Sequence, residues 1–400
     1  MGFLGSLLGR LRKRTSAPTE EAPAGGGRDG QGPYRHAAVV PSLPRSLPLP
    51  TSLRLPRFAG YEVVATLERD GERYARYLLK PPGAAEPSCA VACFAVDGDH
   101  PVFERCFDEA RVATRLRHRN LGRLLDLGRD GEIWWHLCEY SGGETLHGIL
   151  TKIRYGAAPP SLDVVVAAFA DFAEGLHAAH TDTDDDGRAL GWCYGDLSPA
   201  ALFLSLEGTG KIIDWGLRGL VRAYRTRDSG PDGVTGIGLL TELQRAGLRY
   251  LAPEQVRGEP VDGRADVFAL GVILYELSTG SSLFLADTDL ATIERVVMQE
   301  APPPSTLVRG YPAELDALVL RALTKDPAAR ATAGEVAAGL RALLAAREID
   351  DPAAQVAGYV RALGAAPLDP TVGRPPTQTP GTEPPAVETG RESLVDHGRD

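Results

Sequence analysis

Apolar residues concentrate in four short runs, Tyr61 to Leu67, Tyr74 to Leu79, Cys89 to Val96 and Ile133 to Cys138. Short and rich in Val, Tyr, Trp and Phe, these predict strands. Between the last two, Phe107, Ala110, Val112, Ala113 and Leu116 recur at helical spacing and predict one helix over Pro101 to Leu116. Beyond Gly143 the period is helical. Leu162 to Ala179, Ala265 to Ser278, Leu290 to Gln299, Pro312 to Leu323 and Ala333 to Ala345 each predict a helix. Asp351-Pro352 supplies an N-cap and a first-turn proline for a last helix to Leu363, with Val356, Tyr359, Val360 and Leu363 on one face. A strand-rich lobe therefore precedes a helix-rich one, an α+β arrangement.

The flanks carry no such pattern. Residues 1–58 read as a disordered basic, Pro/Gly-rich tail and residues 365–400 as a disordered Pro/Thr-rich tail. The folded part is residues 59–345, with its N-lobe over about 59–140 and its C-lobe over about 141–345, followed by the helix at 346–364.

Charge narrows the partners. A formal net charge of -10 argues against a nucleic-acid binder, which needs cations to displace counterions from phosphates. The first 58 residues run the other way, with nine Arg or Lys against three Asp or Glu. Within them, Phe3, Leu4, Leu7, Leu8 and Leu11 share a helical face ahead of a basic cluster, so residues 1–14 could rest weakly on an anionic membrane. A frayed start is the plainer reading, and basic residues placed after the apolar ones do not suit a secretory signal. Cys89, Cys93, Cys106, Cys138 and Cys193 form no metal-ligand spacing and read as reduced core residues of a cytoplasmic protein. No apolar run has membrane-spanning length.

Five motifs then follow in order. Tyr194-Gly195-Asp196-Leu197-Ser198-Pro199 leads to the apolar Leu202 to Leu204, and the buried strand Lys211-Ile-Ile-Asp214-Trp215-Gly216 ends eighteen residues on in a carboxylate, an aromatic and a glycine. Tyr250-Leu251-Ala252-Pro253-Glu254, Arg264-Ala-Asp266-Val-Phe-Ala-Leu-Gly271 and Lys325-Asp326-Pro327 with Arg330 come after. Over about Gly60 to Leu344 this series resembles the eukaryote-like serine/threonine protein kinases of bacteria. The resemblance implies a bilobal fold with a small N-lobe carrying one helix. It implies Asp196 as the catalytic carboxylate and Asp214 as the magnesium ligand. It also implies an ion pair between Glu254 and Arg330, and Asp266 as the holder of the catalytic-loop backbone. Gly71, Ala92, Glu109, Cys138, Glu139, Ser141 and Phe203 take nucleotide-pocket positions, with ATP and magnesium as the implied cofactors.

Departures from the family pattern fall on the chemistry. No lysine occurs from Pro81 to Thr151, so the strand-three lysine is replaced by Phe94, or by Ala92 if the alignment slips by two. Lys80 is too far from Glu109 to substitute. The phosphate-covering loop keeps only Gly71 and carries Glu68, Asp70 and Glu72. The catalytic loop has Tyr194, Gly195 and Ser198 where the family has histidine, arginine and lysine, and Ala201 replaces its metal-binding asparagine. Gly247 stands where a threonine normally faces the catalytic carboxylate. Each lost phosphate contact is worth about 10² to 10³ in rate. Tyr194 and Trp215 are expected to pack together, and Phe94 to face Phe203 and fill the pocket.

These features point to a pseudokinase that regulates or scaffolds signalling by binding proteins. The alternative is a divergent active serine/threonine kinase in which Arg69, Arg73 or Lys80 reaches the phosphates; Tyr250 to Glu254 and Arg330 disfavour a small-molecule kinase. Asp182, Asp184 and Asp186 mimic the start of a calcium loop but read as a solvated insertion. The acylation-like Gly2 and Ser6 carry little weight. Trp134 and Trp135 read as packing rather than a ligand platform.

Overall fold

The structure is a computed structural model describing residues 55–70, 74–95, 104, 107–108, 110–111, 113–217 and 247–365. Gly71, Glu72, Arg73, Cys106, Glu109, residues 1–14 and the C-terminal tail lie outside the described residues.

Strands β1 (Glu62–Asp70), β2 (Tyr74–Lys80), β3 (Cys89–Ala95), β4 (Leu124–Asp130) and β5 (Ile133–Glu139) build an antiparallel sheet in the order β1-β2-β3-β5-β4. Alternation gives this sheet two buried faces. On the outer face Val91, Trp135 and Leu137 pack with Leu55 and Phe58, whose ring meets Trp135 edge-on at 5.0 Å. Leu55 and Phe58, assigned by sequence to the disordered tail, are thus part of the folded lobe. On the inner face Phe94 and Trp134 join Phe107, from the segment whose described residues Glu104, Phe107, Asp108, Ala110 and Arg111 are helical. Trp134 and Trp135 therefore serve opposite faces as packing residues, and Gly128 on β4 is small because a Cβ there would come within 2.4 Å of the Trp135 indole.

The C-lobe opens with β6 (Gly143–Thr145) and α1 (Leu146–Arg154), capped by the Thr145 hydroxyl, which accepts from the Gly148 amide at 3.0 Å. Helix α2 (Leu162–His180) follows, then β7 (Leu202–Ser205) and β8 (Gly210–Ile212), which with β6 form a three-stranded sheet. Helices α3 (Pro253–Arg257), α4 (Arg264–Thr279), α5 (Asp289–Met298), α6 (Ala313–Ala322) and α7 (Ala333–Ala346) complete the lobe. Every residue of α4 from Ala265 to Tyr275 is buried, as expected of a helix apolar all round and surrounded by others.

The last helix, α8 (Pro352–Ala365), packs on the domain through the predicted face: Val356, Val360 and Leu363 enter the main core. Arg361 donates to the Leu206 carbonyl at 2.7 Å and the Tyr359 hydroxyl to the Ala158 carbonyl at 3.1 Å. Among the described residues no helix is long and apolar enough to cross a membrane.

Candidate functional site

The cleft floor is built around Asp266, a 1 % exposed carboxylate in the first turn of α4. It accepts from the Tyr194 and Gly195 amides, both at 2.8 Å, and meets His180 Nε2 at 2.9 Å. Gly195 takes a left-handed backbone (φ 73°), and its carbonyl accepts from Gln255 Nε2 at 2.6 Å. This anchoring presents Asp196 to solvent. Gly247 faces it: a Cβ built there would lie 4.0 Å from Asp196 Oδ1, yet the residue brings no hydroxyl.

The strand bearing Asp214 is equally well fixed. Trp215 is 3 % exposed and meets the Tyr194 ring edge-on at 5.2 Å, while the Tyr194 hydroxyl donates to the Ile213 carbonyl at 3.2 Å. Gly216 (φ 77°) has room for no side chain, since a Cβ would come within 2.7 Å of the Ala113 methyl. Between them Asp214 holds φ at 58°, a left-handed conformation that persists only where the surroundings over-determine it.

Sequence reasoning missed the residue that meets Asp214. Arg76, in the middle of β2, places Nη1 3.3 Å from Oδ2 and Nη2 3.4 Å from Oδ1. Cross-strand pairing sets Arg76 opposite Ala92 and Ala92 opposite His136, so the three lie abreast on one face of β2, β3 and β5. The row that reaches the carboxylate thus carries Ala92 on β3, which favours the slipped alignment. Phe94 lies on the same face one row further along: it is 1 % exposed, with its ring 5.6 Å from that of His136 in the core. The expectation that it faces Phe203 across the pocket is corrected, because the ring is buried in the main core. Arg69, Arg73 and Lys80 were the cations weighed from sequence; Lys80 instead pairs with Glu62 at 3.6 Å.

Two neutral groups lie beside the ion pair. Burial pushes the His136 imidazole down to about 4, and burial above all pushes the Cys138 thiol up, with the two in contact at 3.5 Å. Glu139 receives Lys211 Nζ at 2.5 Å, tying the strand β5 exit to β8. Ser141 and Phe203 are half-buried nearby in sequence and strand order. Gly71 and Glu109 lie outside the described residues. Below the cleft, Glu254 and Arg330 pair as expected, and the acidic insertion is a turn in which Asp184 Oδ1 accepts from the Asp186 and Arg188 amides at 3.0 and 2.8 Å.

A family description, the protein kinase domain, matches residues 86–339. The chain belongs to the protein kinase family. Among curated relatives of this kinase domain, the tyrosine-protein kinase MasK of Myxococcus xanthus is 35 % identical over 231 residues, 57 % of this chain and 34 % of that protein. The serine/threonine-protein kinase PknL of Mycobacterium tuberculosis is 34 % identical over 233 residues, 58 % of this chain and 52 % of its own. The chain thus spans from a third to about half the length of these relatives. In fold, the kinase domain of Mycobacterium tuberculosis PknI matches with a TM-score of 0.50 at 24 % identity, over 74 % of this chain and 99 % of that one.

The kinase fold implies magnesium, and the residues present do not fit it. Asp214 is held by a guanidinium, and Ala201, 2 % exposed, offers only a methyl where the resemblance implies an asparagine. Among the described residues no group of three or more His, Cys, Asp or Glu could hold a metal ion.

Proposed function

We propose that this kinase domain acts in the cytoplasm as a signalling regulator or scaffold that binds other proteins, with phosphoryl transfer weak or absent. The observation that supports it most is the Arg76 guanidinium lying across both oxygens of Asp214. A metal-bridged phosphoryl transfer needs that carboxylate for the cation. The buried Ala201 removes a further contact, worth about 10² to 10³ in rate.

A divergent active kinase is the second reading, favoured by the exposure of Asp196. Relatives named both as tyrosine and as serine/threonine kinases leave its acceptor open. Incubating the full chain with γ-labelled ATP and magnesium, alone and with generic protein substrates, tests the proposal. No label above that of Asp214→Ala is expected. Label in the wild type that the variant lacks would return weight to the active kinase.

A further inference from the structure

We propose that Arg76 is the phosphate-binding cation of this cleft, standing on β2 in place of a strand-three lysine, and that it takes a nucleoside polyphosphate without a divalent cation. The proposal deepens the reading above: a cleft unfit for metal-bridged transfer keeps a use for the phosphates themselves.

Geometry comes first. Arg76 lies directly opposite Ala92, and both share the face whose side chains approach Asp214. Ala92 is 1 % exposed and carries only a methyl, so the space in front of β3 falls to the longer side chain from the neighbouring strand. A cation delivered from β2 and one delivered from β3 converge on the same point, next to the end of β8.

Charge decides which ligand suits that point. Among the described residues, the groups around it include His136, whose ring burial keeps neutral, the Cys138 thiol, and the Asp214 carboxylate. Arg76 and Asp214 therefore offset each other's charge. A divalent ion on Asp214 would sit beside the guanidinium and be repelled by it, or would have to expel it. A phosphate asks for less. The planar guanidinium presents paired donors that match two phosphate oxygens as well as two carboxylate oxygens, so Arg76 can exchange one partner for the other. The Asp214 side chain keeps 26 % of its surface exposed, so its release leaves it in contact with water rather than stranded. Asp214 is then a competitor for the cation, the reverse of its role in a metal-dependent kinase.

Titration calorimetry of the full chain with ATP, ADP and inorganic triphosphate, in EDTA and in magnesium, tests this. Saturable ATP binding in EDTA is expected, with magnesium giving no gain. Asp214→Asn should tighten it about tenfold, and Arg76→Ala should weaken it by at least about tenfold, the scale of one charge-assisted contact. Arg76→Lys should retain most of the affinity, and Ala92→Lys should restore it to Arg76→Ala, which separates loss of the cation from loss of the fold. Triphosphate binding as tightly as ATP would place the recognition wholly in the phosphates. No saturation by ATP in Asp214→Asn, or a magnesium-dependent gain that Asp214→Asn abolishes, would overturn the proposal. Phosphoryl transfer is a separate readout, so either reading can fail alone.

Discussion

Arg330 donates to both carboxylate oxygens of Glu254, at 2.6 and 2.9 Å, with the two side chains 0 % and 2 % exposed. The guanidinium also donates to the carbonyls of Thr324 and Arg264 and lies 5.0 Å from the Phe268 ring. Removing one member strands the other in a buried site, at a cost of about 3 to 5 kcal/mol. Glu254→Ala and Arg330→Ala should each melt the C-lobe well below the wild type in calorimetry. Unchanged melting in both would contradict this.

Phe94→Ala tests where that ring lies. A ring in the core should cost about 3 to 5 kcal/mol on truncation. A ring lining an open cleft would cost far less, and its removal would make room for a nucleotide. Denaturant unfolding together with ATP titration separates the two, and the core outcome is expected.

The difference between Phe94 and Arg76 marks how far the sequence could be read. Element types and the kinase resemblance were legible because α4 and the Asp196, Asp214 and Glu254 motifs depend on local period and order. Register is not local. Tyr74, Arg76 and Leu78 alternate with Ala75, Tyr77 and Leu79, and only pairing with β3 tells which set faces the cleft. A charge in the middle of an otherwise apolar run was the available signal for Arg76. Strand β4 and helix α1 were missed for another reason: Asp126 and Gly128 interrupt the first, and the Thr145 cap that starts the second follows two glycines.

Helix α8 should be an integral part of the fold. A Cβ at Gly208 would lie 1.8 Å from the Ala353 carbonyl oxygen, at a backbone φ of 84°. Gly208→Ala must therefore push the helix off its seat, costing at least about 1 kcal/mol, or roughly 2 to 4 °C in melting temperature. Truncation before Pro352 should lower the midpoint further. Thermal melts of both check this, and a wild-type midpoint in the truncated chain would refute it.

Lys325 gives a pH signature. Its ammonium donates to the Val296 carbonyl at 2.7 Å and lies 4.2 Å from the Phe284 ring, and burial holds its pKa down at about 8 against an ordinary 10.5. Between those values the unfolded chain binds more protons than the folded one, so this residue's contribution makes stability rise with pH from about 8 to 10.5. Comparing Lys325→Met with the wild type across that window should show a shallower rise in the variant. Parallel curves would remove the assignment.

The central claim, that metal-bridged phosphoryl transfer is lost, is tested most directly without a protein acceptor. Water serves as acceptor in single-turnover ATP hydrolysis, run with the full chain in excess over γ-labelled ATP and with saturating magnesium. The account predicts phosphate release at the same background rate in wild type, Asp214→Ala and Asp196→Asn. A magnesium-dependent rate in the wild type that both variants abolish would contradict it.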